Sequence, residues 1–445
     1  MKTDSPHILC INPWIHDFAA YDFWAKPLGL LSIAAILRQN RIQVSFLDCL
    51  DRFHPKETTP PKILWDGRGP FRKKKIDPPP GLESLAKPFS RYGIEPKWFE
   101  KDLQRIKKPD LIFVTSLMTY WASGVKETIE MVKQVFPDVP VVLGGIYASL
   151  CRGHAEKKSG ADRVIQGPAE GVLKSLIAEY TGFEISGPGP SGNLDHLPFP
   201  ALDLQNRMAY APILTSRGCP FSCEYCASSF LEPTVRRRSP DHVFKEIVHW
   251  HHRFKVRNFA FYDDALLVDA ERYAFPLLEK IIGLNQNLFF HTPNALHIKA
   301  VTRQAANLMY RAGFKTIRLG LETTDFSTRR QHDVKVRHDQ FFAAVEHLKT
   351  AGFEQKQLGA YLLCGLPDQD PGDVEISMKE VARAGITPVL AYYTPIPHTP
   401  MWENAVEKSR YNLLKHPVFT NNTLFPCVRS DRVVKQISRL KNMEI

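Results

Sequence analysis

Short apolar runs alternate with amphipathic stretches along the first 186 residues. Residues 7–12 form an apolar run that stops at Asn12-Pro13, which is typical of a buried strand ending in a turn. Residues 28–40 have helical periodicity, and residues 43–47 are again strand-like. The same alternation continues with strand-like runs and helical stretches at 110–116, 124–135, 139–143, 163–167 and from about 169. This order predicts an α/β domain over residues 1–186 that is Rossmann-like and doubly wound, with right-handed parallel crossovers.

Residues 51–109 interrupt this alternation. Prolines and glycines break any period, and the segment contains too many aromatic side chains for a disordered linker: Trp65, Phe71, Phe89, Tyr92, Trp98 and Phe99. We therefore expect an aromatic and proline-rich insertion without regular elements that covers the interface between the domains and part of the substrate entrance.

A second alternation follows the glycine- and proline-rich linker at residues 187–200. Its strand-like runs lie at 211–216, 258–262, 288–292, 316–320, 359–364 and 387–393, and each of the first five precedes a helix-like stretch. The pattern predicts a domain of six parallel strands over residues 201–400. Residues 401–445 are expected to be a short extension, with an extended piece at 418–427 and a helix at 432–441.

Composition limits the classes of protein that remain. The 445 residues are 44% apolar and 24% charged, and no apolar run approaches the roughly 20 residues of a membrane span. The sequence begins without a signal-peptide apolar region, so we expect a cytoplasmic protein. The formal charge of +11 permits an acidic partner, but the sharpest basic run, at 68–75, reads as a solvated loop, and we expect no nucleic-acid partner.

Three cysteines lie within eight residues, at Cys219, Cys223 and Cys226. Thiolates this close can converge on one soft metal centre, and their spacing does not match the two pairs of ligands of a tetrahedral zinc site. The pattern Cys-x-x-x-Cys-x-aromatic-Cys, with Tyr225 as the aromatic residue, resembles the radical S-adenosylmethionine (SAM) superfamily. The resemblance implies a [4Fe-4S] cluster held by the three thiolates, with SAM on the fourth iron and Tyr225 near its adenine.

The same resemblance implies a partial, six-stranded TIM-like barrel with its chemistry at the carboxyl ends of the strands. The residues at those ends are similar to the SAM-binding groups of the superfamily. Glu322 corresponds to a contact with the ribose or the methionyl amine, Asp264 and Asn294 to contacts with the methionyl end, and the backbone at Gly365 to a contact with adenine. Arg318 belongs to the same predicted set. Caps and turns are the structural alternative for each position.

The first domain also contains elements that resemble a known family. Ser116-Leu117-Met118 and Gly144-Gly145 are similar to the Ser-x-Leu and Gly-Gly elements of cobalamin-binding domains, where glycine lets the backbone approach the nucleotide tail. This domain precedes a radical SAM core, as in the cobalamin-dependent branch of that superfamily. The Asp-x-His-x-x-Gly element of many cobalamin proteins is absent, and the spacing of His16 is wrong for it. The lower face of the cobalt is thus unassigned.

Together the two resemblances imply a cobalamin-dependent radical SAM enzyme that methylates an unactivated carbon. In this reaction a 5′-deoxyadenosyl radical removes a hydrogen from the substrate, and methylcobalamin delivers the methyl group. The substrate would be a small molecule or a peptide, and an electron donor such as flavodoxin or ferredoxin would serve the cluster. No side chain is identified as a catalytic acid or base, because the cofactors supply the reactive groups.

Three alternatives remain open from the sequence. The same cofactors support rearrangements and cyclisations that transfer no methyl group. The first domain could instead be a sensor or docking module without a corrinoid. A tRNA methylthiotransferase would use three more cysteines, for which Cys10, Cys49 and Cys151 are candidates, but the chain leaves no room for the expected RNA-binding barrel.

Overall fold

The computed structural model describes residues 5–186, 193–325 and 336–441, which divide into two compact units. The first unit runs to Ala209 and includes residues 415–418, and the second contains Tyr210–Leu414 and the chain from Phe419 onward. The core of the predicted linker, residues 187–192, lies outside the described residues.

The first unit contains eight described strands and six described α-helices. The strands are β1 His7–Asn12, β2 Ile15–Asp17, β3 Gln43–Asp48, β4 Lys73–Lys75, β5 Ser90–Tyr92, β6 Leu111–Val114, β7 Val141–Leu143 and β8 Arg163–Val164. The helices are α1 Leu28–Gln39, α2 Pro96–Arg105, α3 Ala122–Val135, α4 Ile146–Leu150, α5 Arg152–Lys158 and α6 Leu173–Thr181.

A five-stranded parallel sheet in the order β3-β1-β6-β7-β8 forms the centre of this unit. Successive side chains of a strand point to opposite faces, and β1 shows this clearly. Leu9 and Ile11 belong to one apolar cluster with α3, while Ile8 and Cys10 belong to another with α1 and α6. Because both faces of the sheet are covered, its central strands β6 and β7 are apolar runs without polar alternation. The predicted doubly wound α/β class is confirmed.

The insertion has more regular structure than the sequence predicted. Within residues 51–109 lie β4, β5 and α2, and β5 pairs antiparallel with both β2 and β4 in a small three-stranded sheet. The expectation of no regular elements was therefore wrong. Three-residue strands are too short to show a period, and Pro96 at the start of α2 is a helix-start signal that the sequence analysis did not use.

The second unit contains the remaining strands and helices. The strands are β9 Ala211–Ile213, β10 Ser216–Arg217, β11 Arg236–Arg237, β12 Asn258–Phe261, β13 Phe289–His291, β14 Phe314–Glu322, β15 Leu358–Cys364 and β16 Thr387–Tyr392. The described α-helices are α7 Ser228–Leu231, α8 Pro240–Phe254, α9 Ala274–Gly283, α10 Arg303–Ala312, α11 His338–Ala351, α12 Pro371–Arg383, α13 Trp402–Lys408 and α14 Asp431–Leu440.

Six of these strands form one parallel sheet in the order β9-β12-β13-β14-β15-β16. Strand order follows chain order, and a helix follows each of the first five strands, as in a βα barrel. Among the described residues β9 and β16 do not pair, so the sheet has two edges and the barrel is partial. The six predicted strands are confirmed.

The two faces of this sheet differ in chemistry. Phe259 and Phe261 of β12 stack with Phe290 and Phe314 at centroid distances of 5.5–5.8 Å. On the opposite face of the same strands, the buried His291 lies 3.0 Å from the hydroxyl of Thr316 and 3.2 Å from the amide oxygen of Asn258. A polar group inside the sheet is therefore tolerated because it is hydrogen-bonded.

The last residues of the chain match the prediction in part. Helix α14 was predicted, but residues 418–427, which were expected to be extended, contain two 3₁₀ turns at Pro417–Thr420 and Asn422–Leu424. In the described ranges we find no helix with both the length and the apolar character needed to cross a membrane.

Candidate functional site

The cysteine loop lies beyond the carboxyl end of β9, between the antiparallel strands β10 and β11. Gly218 precedes it with a φ of +80°, and a Cβ atom there would lie 2.9 Å from the carbonyl oxygen of Glu232 and 3.0 Å from that of Thr234. Only glycine fits this close approach without displacement. The start of the loop at Gly218 is therefore held closely against the backbone that leads into β11.

A buried carboxylate anchors the start of the loop. Asp263, which is 3% exposed, accepts hydrogen bonds from the backbone N–H and hydroxyl of Thr215 and from the hydroxyl of Ser216. Burial raises the pKa of Asp263, and the hydrogen bonds from Thr215 and Ser216 act in the opposite direction. The sequence showed two aspartates after β12, but only the structure identifies Asp263 as the anchor.

Its neighbour Asp264 reaches the loop through a serine. The Ser228 hydroxyl donates to Oδ2 of Asp264 at 3.0 Å and lies 3.3 Å from Sγ of Cys226, whose sulfur also accepts the backbone N–H of Ser228 at 3.5 Å. A second polar residue meets the loop from the segment after β13, where Nε2 of His297 lies 3.7 Å from Sγ of Cys219. Sequence reasoning missed Ser228 and His297, although Ser228 is only two residues beyond the third cysteine.

Glu322 has an unusual backbone at the carboxyl end of β14. Its φ is +63°, and the pairing of β14 with β15 shifts register between Gly320 and Glu322. A left-handed conformation is costly for a residue with a side chain and is often found at functional sites. The bulge turns the Glu322 side chain away from the direction that regular alternation would give it.

Two other predicted residues, Asn294 and Gly365, already form hydrogen bonds within the fold. The amide nitrogen of Asn294 donates to the carbonyl oxygen of Tyr262 at 2.7 Å, so it links the ends of β12 and β13. The backbone N–H groups of Gly365 and Leu366 both donate to Oε1 of Gln369. A ligand at Gly365 would therefore meet its carbonyl group and its van der Waals surface and not its N–H.

Arg318 differs from the rest of the predicted set. It lies in the middle of β14, four residues before Glu322, which is roughly 13 Å along a strand. Its Nη1 donates to the carbonyl oxygens of Ile317 and Gln357, and Gln357 immediately precedes β15. The guanidinium is thus directed toward the amino end of the sheet, and Arg318 does not lie with Glu322 at the carboxyl end of β14.

The cysteine loop fits a thiolate-bound cluster. None of its three cysteines is in a disulfide, Cys223 is buried, the backbone N–H of Ser228 faces the sulfur of Cys226, and Nε2 of His297 faces that of Cys219. The carbonyl oxygen of Glu224, beside Tyr225, accepts the N–H of Met401 and ties the loop to the segment after β16. Within the described ranges no three His, Cys, Asp or Glu side chains converge on a single ion. A cubane does not require that convergence, since its thiolates bind different irons.

In the first unit, Ser116 and the glycine pair meet at the carboxyl ends of β6 and β7. The Ser116 hydroxyl donates to the carbonyl of Gly144 at 2.7 Å, and the carbonyl of Ser116 accepts the N–H of Ile146. Gly145 has a φ of +96°, and a Cβ atom there would lie 2.2 Å from the Ser116 carbonyl oxygen. A Cβ atom at Gly144 would meet nothing within 4 Å. Gly145 is needed for the turn itself, whereas Gly144 faces open space.

Apolar side chains flank this open space. Met118, just after β6, is 45% exposed, and Ile146, just after β7, is 37% exposed. Exposed apolar side chains near the Gly144-Gly145 pair suit the surface of a large, partly apolar ligand such as a corrin.

The imidazole of His16 contacts a neighbouring carboxylate. It lies on β2, is 6% exposed, and its Nε2 is 2.7 Å from Oε2 of Glu127, whose other oxygen accepts from Arg91. Its imidazole is therefore engaged by Glu127, in line with the absence of the Asp-x-His-x-x-Gly element.

Two protein-family models match the chain. The radical SAM superfamily model matches residues 213–381, which include the cysteine loop and the strands from β9 to β15, and the B12-binding domain model matches residues 90–177. The chain thus combines a B12-binding domain with a radical SAM domain, the combination that characterises the cobalamin-dependent radical SAM family. The radical SAM domain accounts for a [4Fe-4S] cluster and SAM, and the B12-binding domain accounts for cobalamin. The predicted cofactors are confirmed, and members of this superfamily generally need an electron donor.

Three relatives show the range of named activities. An uncharacterized methyltransferase of Pyrococcus horikoshii is 24% identical over 75% of this chain and 78% of its own. The hopanoid C-3 methylase of Methylococcus capsulatus is 24% identical over 73% and 68%. The anaerobic magnesium-protoporphyrin IX monomethyl ester cyclase of Rubrivivax gelatinosus is 21% identical over 75% and 66%.

A solved structure has the same fold. The radical SAM methyltransferase TsrM of Kitasatospora setae, with cobalamin and a [4Fe-4S] cluster bound, aligns with a TM-score of 0.67 over 91% of this chain and 78% of its own, at 15% identity. The likeness extends over both units of the chain, so the fold confirms the predicted combination of a Rossmann-like domain and a partial barrel.

Proposed function

We propose that this radical SAM enzyme methylates an unactivated carbon atom of a small-molecule or peptide substrate. One observation carries the proposal: a three-thiol loop anchored by the buried Asp263 follows, in the same chain, a B12-binding domain whose Gly144 borders open space. The names of two relatives, a methyltransferase and a carbon methylase, support methyl transfer.

The proposed cluster ligands are Cys219, Cys223 and Cys226. They lie on one short loop beyond a strand end, where βα barrels carry their chemistry. The N–H of Ser228 at the Cys226 sulfur suits a thiolate because a hydrogen bond to a ligating sulfur delocalises its charge.

The proposed SAM contacts are Tyr225, within this loop, and four residues at or just beyond the carboxyl ends of the strands: Asp264, Asn294, Glu322 and Gly365. Asp264 is already joined to the loop by Ser228, and the bulge at Glu322 re-aims a carboxylate at this edge. Both carboxylates suit the methionyl ammonium group or the ribose hydroxyls, since ionised carboxylates are strong acceptors. Arg318 is left out because of its contacts with Ile317 and Gln357.

The proposed cobalamin contacts are Ser116, Gly144 and Gly145. Ser116 holds the turn by bonding Gly144 and receives the N–H of Ala148, so the strand end is rigid before any ligand arrives. Gly144 keeps the backbone accessible to a nucleotide tail.

When bound, the cluster, SAM and cobalamin supply one-electron and methyl-transfer chemistry. The residues of this chain orient these groups, and none is proposed as an acid or base. A flavodoxin or ferredoxin is the proposed electron donor, the proposed compartment is the cytoplasm, and no nucleic acid is proposed as a partner.

Cyclisation of the substrate is the second candidate, favoured by the cyclase among the relatives. It would use the same cofactors but would leave no new methyl group on the product.

The test uses the full chain, reconstituted anaerobically with iron, sulfide and hydroxocobalamin, and incubated with candidate substrates and methyl-labelled SAM. Mass spectrometry of a product carrying the label supports methylation. A product without added mass from the label supports the second candidate, and failure to retain corrinoid supports a docking or sensor domain.

Cys223→Ala and Cys151→Ala form the matched pair of variants. Cys223→Ala should lose the cluster spectrum and the formation of 5′-deoxyadenosine, because one of three proposed ligands is gone. Cys151→Ala, in the first unit and only partly buried, should keep both. Turnover by Cys223→Ala would contradict the cluster assignment.

A further inference from the structure

A histidine outside the cysteine motif lies against the loop. Nε2 of His297 is 3.7 Å from Sγ of Cys219, and the imidazole packs on Phe221 with the ring centroids 4.3 Å apart. Phe221 lies between the first two cysteines, so His297 contacts both an expected ligand and the chain that connects it to the next one.

The backbone around His297 is held by β14 and by a 3₁₀ turn. Leu296 donates its N–H to the carbonyl of Arg318 at 2.7 Å and accepts the N–H of Gly320 at 3.1 Å. The carbonyl of His297 accepts the N–H of Ala300 in the turn Ile298–Ala300. The imidazole thus approaches Cys219 from a segment that is hydrogen-bonded to β14 on one side and to the 3₁₀ turn on the other.

The direction of the contact follows from the chemistry of a thiolate. A sulfur bound to iron has no proton and can only accept, so Nε2 of His297 must be the donor. Both the imidazolium and the neutral tautomer protonated at Nε2 carry this proton. The hydrogen bond therefore needs no change in the charge of the histidine.

We propose that His297 is a positioning residue that donates an Nε2–H···S hydrogen bond to the Cys219 thiolate and raises the reduction potential of the cluster. The reduced cluster carries one more negative charge than the oxidised cluster, so a donor at the sulfur stabilises the reduced state more. Hydrogen bonds to the sulfurs are one of the terms that set the potentials of iron–sulfur clusters. A higher reduction potential makes reduction of the cluster by the external electron donor more favourable.

The test compares three variants of the reconstituted full chain. His297→Leu removes the donor, while His297→Gln keeps an N–H donor of similar reach. His347→Leu is the control, because His347 on α11 contacts the carbonyl of Val301 and no sulfur. Iron and sulfide content, the electron paramagnetic resonance spectrum of the reduced cluster and its midpoint potential are measured without SAM.

We expect His297→Leu to retain iron and to lower the equilibrium constant for one-electron reduction about tenfold, which corresponds to about 59 mV. His297→Gln and His347→Leu should stay near the wild-type potential. If His297→Leu loses iron, recovery of both iron and potential in His297→Gln still supports the hydrogen bond.

Two results would overturn the role of His297. One is an unchanged potential in His297→Leu at full iron content. The other is equal loss of iron in His297→Leu and His297→Gln, which would show that packing on Phe221 is what matters. Because the role rests on the proposed cluster ligands, failure of the wild-type chain to form a cluster would count against the proposed function itself, and the two failures are distinguishable.

Discussion

Asp263 accepts hydrogen bonds from both the backbone N–H and the hydroxyl of Thr215, at 3.0 and 2.6 Å. Thr215 lies only four residues before Cys219, and the hydroxyl of the intervening Ser216 binds the same carboxylate at 2.7 Å. One buried side chain at the end of β12 therefore determines where the chain leaves β9 and enters the cysteine loop.

Asp263→Ala should destabilise the second unit and disturb the loop. It leaves buried donors of Thr215 and Ser216 without their acceptor, and hydrogen bonds to charged groups contribute roughly 1.5–3 kcal/mol each. We expect a loss of about 3 kcal/mol in the free energy of unfolding and less than half of the wild-type iron after reconstitution. Thermal unfolding and iron analysis measure the two effects.

Asp241→Ala is the control for this prediction. Asp241 is exposed on α8 and pairs with Lys280 at the surface, so its loss should change stability and iron content little. Equal effects of the two substitutions would show that Asp263 does not anchor the start of the cysteine loop.

The adjacent glycines of the first unit should respond differently to substitution. Gly144→Leu places a side chain in open space and should abolish corrinoid retention while iron content and melting temperature stay near wild type. Gly145→Ala should lower the melting temperature, because its Cβ would meet the Ser116 carbonyl at 2.2 Å and its φ is +96°. Visible spectra after gel filtration report the corrinoid. Unchanged corrinoid retention in Gly144→Leu would remove Gly144 from the proposed site.

Glu322→Gln should weaken SAM binding without unfolding the protein. The substitution keeps the shape of the side chain and removes the charge proposed to bind the methionyl ammonium or the ribose. We expect an increase in the dissociation constant of about tenfold or more, since charge-assisted hydrogen bonds contribute roughly 1.5–3 kcal/mol. Equilibrium dialysis with labelled SAM measures it.

Glu322→Asn separates backbone strain from binding. Asparagine tolerates the left-handed region better than glutamate, so this variant should be at least as stable as Glu322→Gln while also binding SAM poorly. Normal SAM affinity in both variants would contradict the proposed contact.

The first unit should lose stability in mild acid through His154. Burial lowers the pKa of His154 to about 4, with the charges of His416 and Lys158 acting in the same direction, and Nδ1 of His154 lies 2.7 Å from the hydroxyl of Tyr147. In the unfolded chain the pKa of His154 is 6.5, so between about pH 4 and pH 6.5 the unfolded chain binds more protons than the folded chain. The contribution of the neutral, buried His154 to the free energy of unfolding is then fully present above pH 6.5 and falls as the pH drops toward 4.

Melting temperatures measured at pH 7 and pH 5 test this dependence. The wild-type protein should melt at a lower temperature at pH 5, and His154→Gln, which cannot titrate, should show a smaller difference between the two pH values. An equal difference in both proteins would assign the acid sensitivity to other groups.

The sequence predicted the sheets well because buried parallel strands are short apolar runs bounded by turn residues. It also located Asp264 and Asn294 beyond strand ends and Glu322 at one, since a polar residue directly after such a run must lie near an edge of the sheet. It misplaced Arg318, because a residue inside a run can be assigned to an end only when the register with the next strand is known. The small sheet of β2, β4 and β5 was missed because three-residue strands show no period.

By itself, the sequence determined the three-thiol loop and the order of a cobalamin-type domain before a radical SAM core, because both depend on residues close together in the chain. Only the tertiary structure decided which side chains meet the sulfurs. Ser228 contacts Asp264 across 36 residues, and His297 contacts Cys219 across 78. Such contacts exist only once the parallel strands have aligned their carboxyl ends, and no local pattern of residues records that alignment.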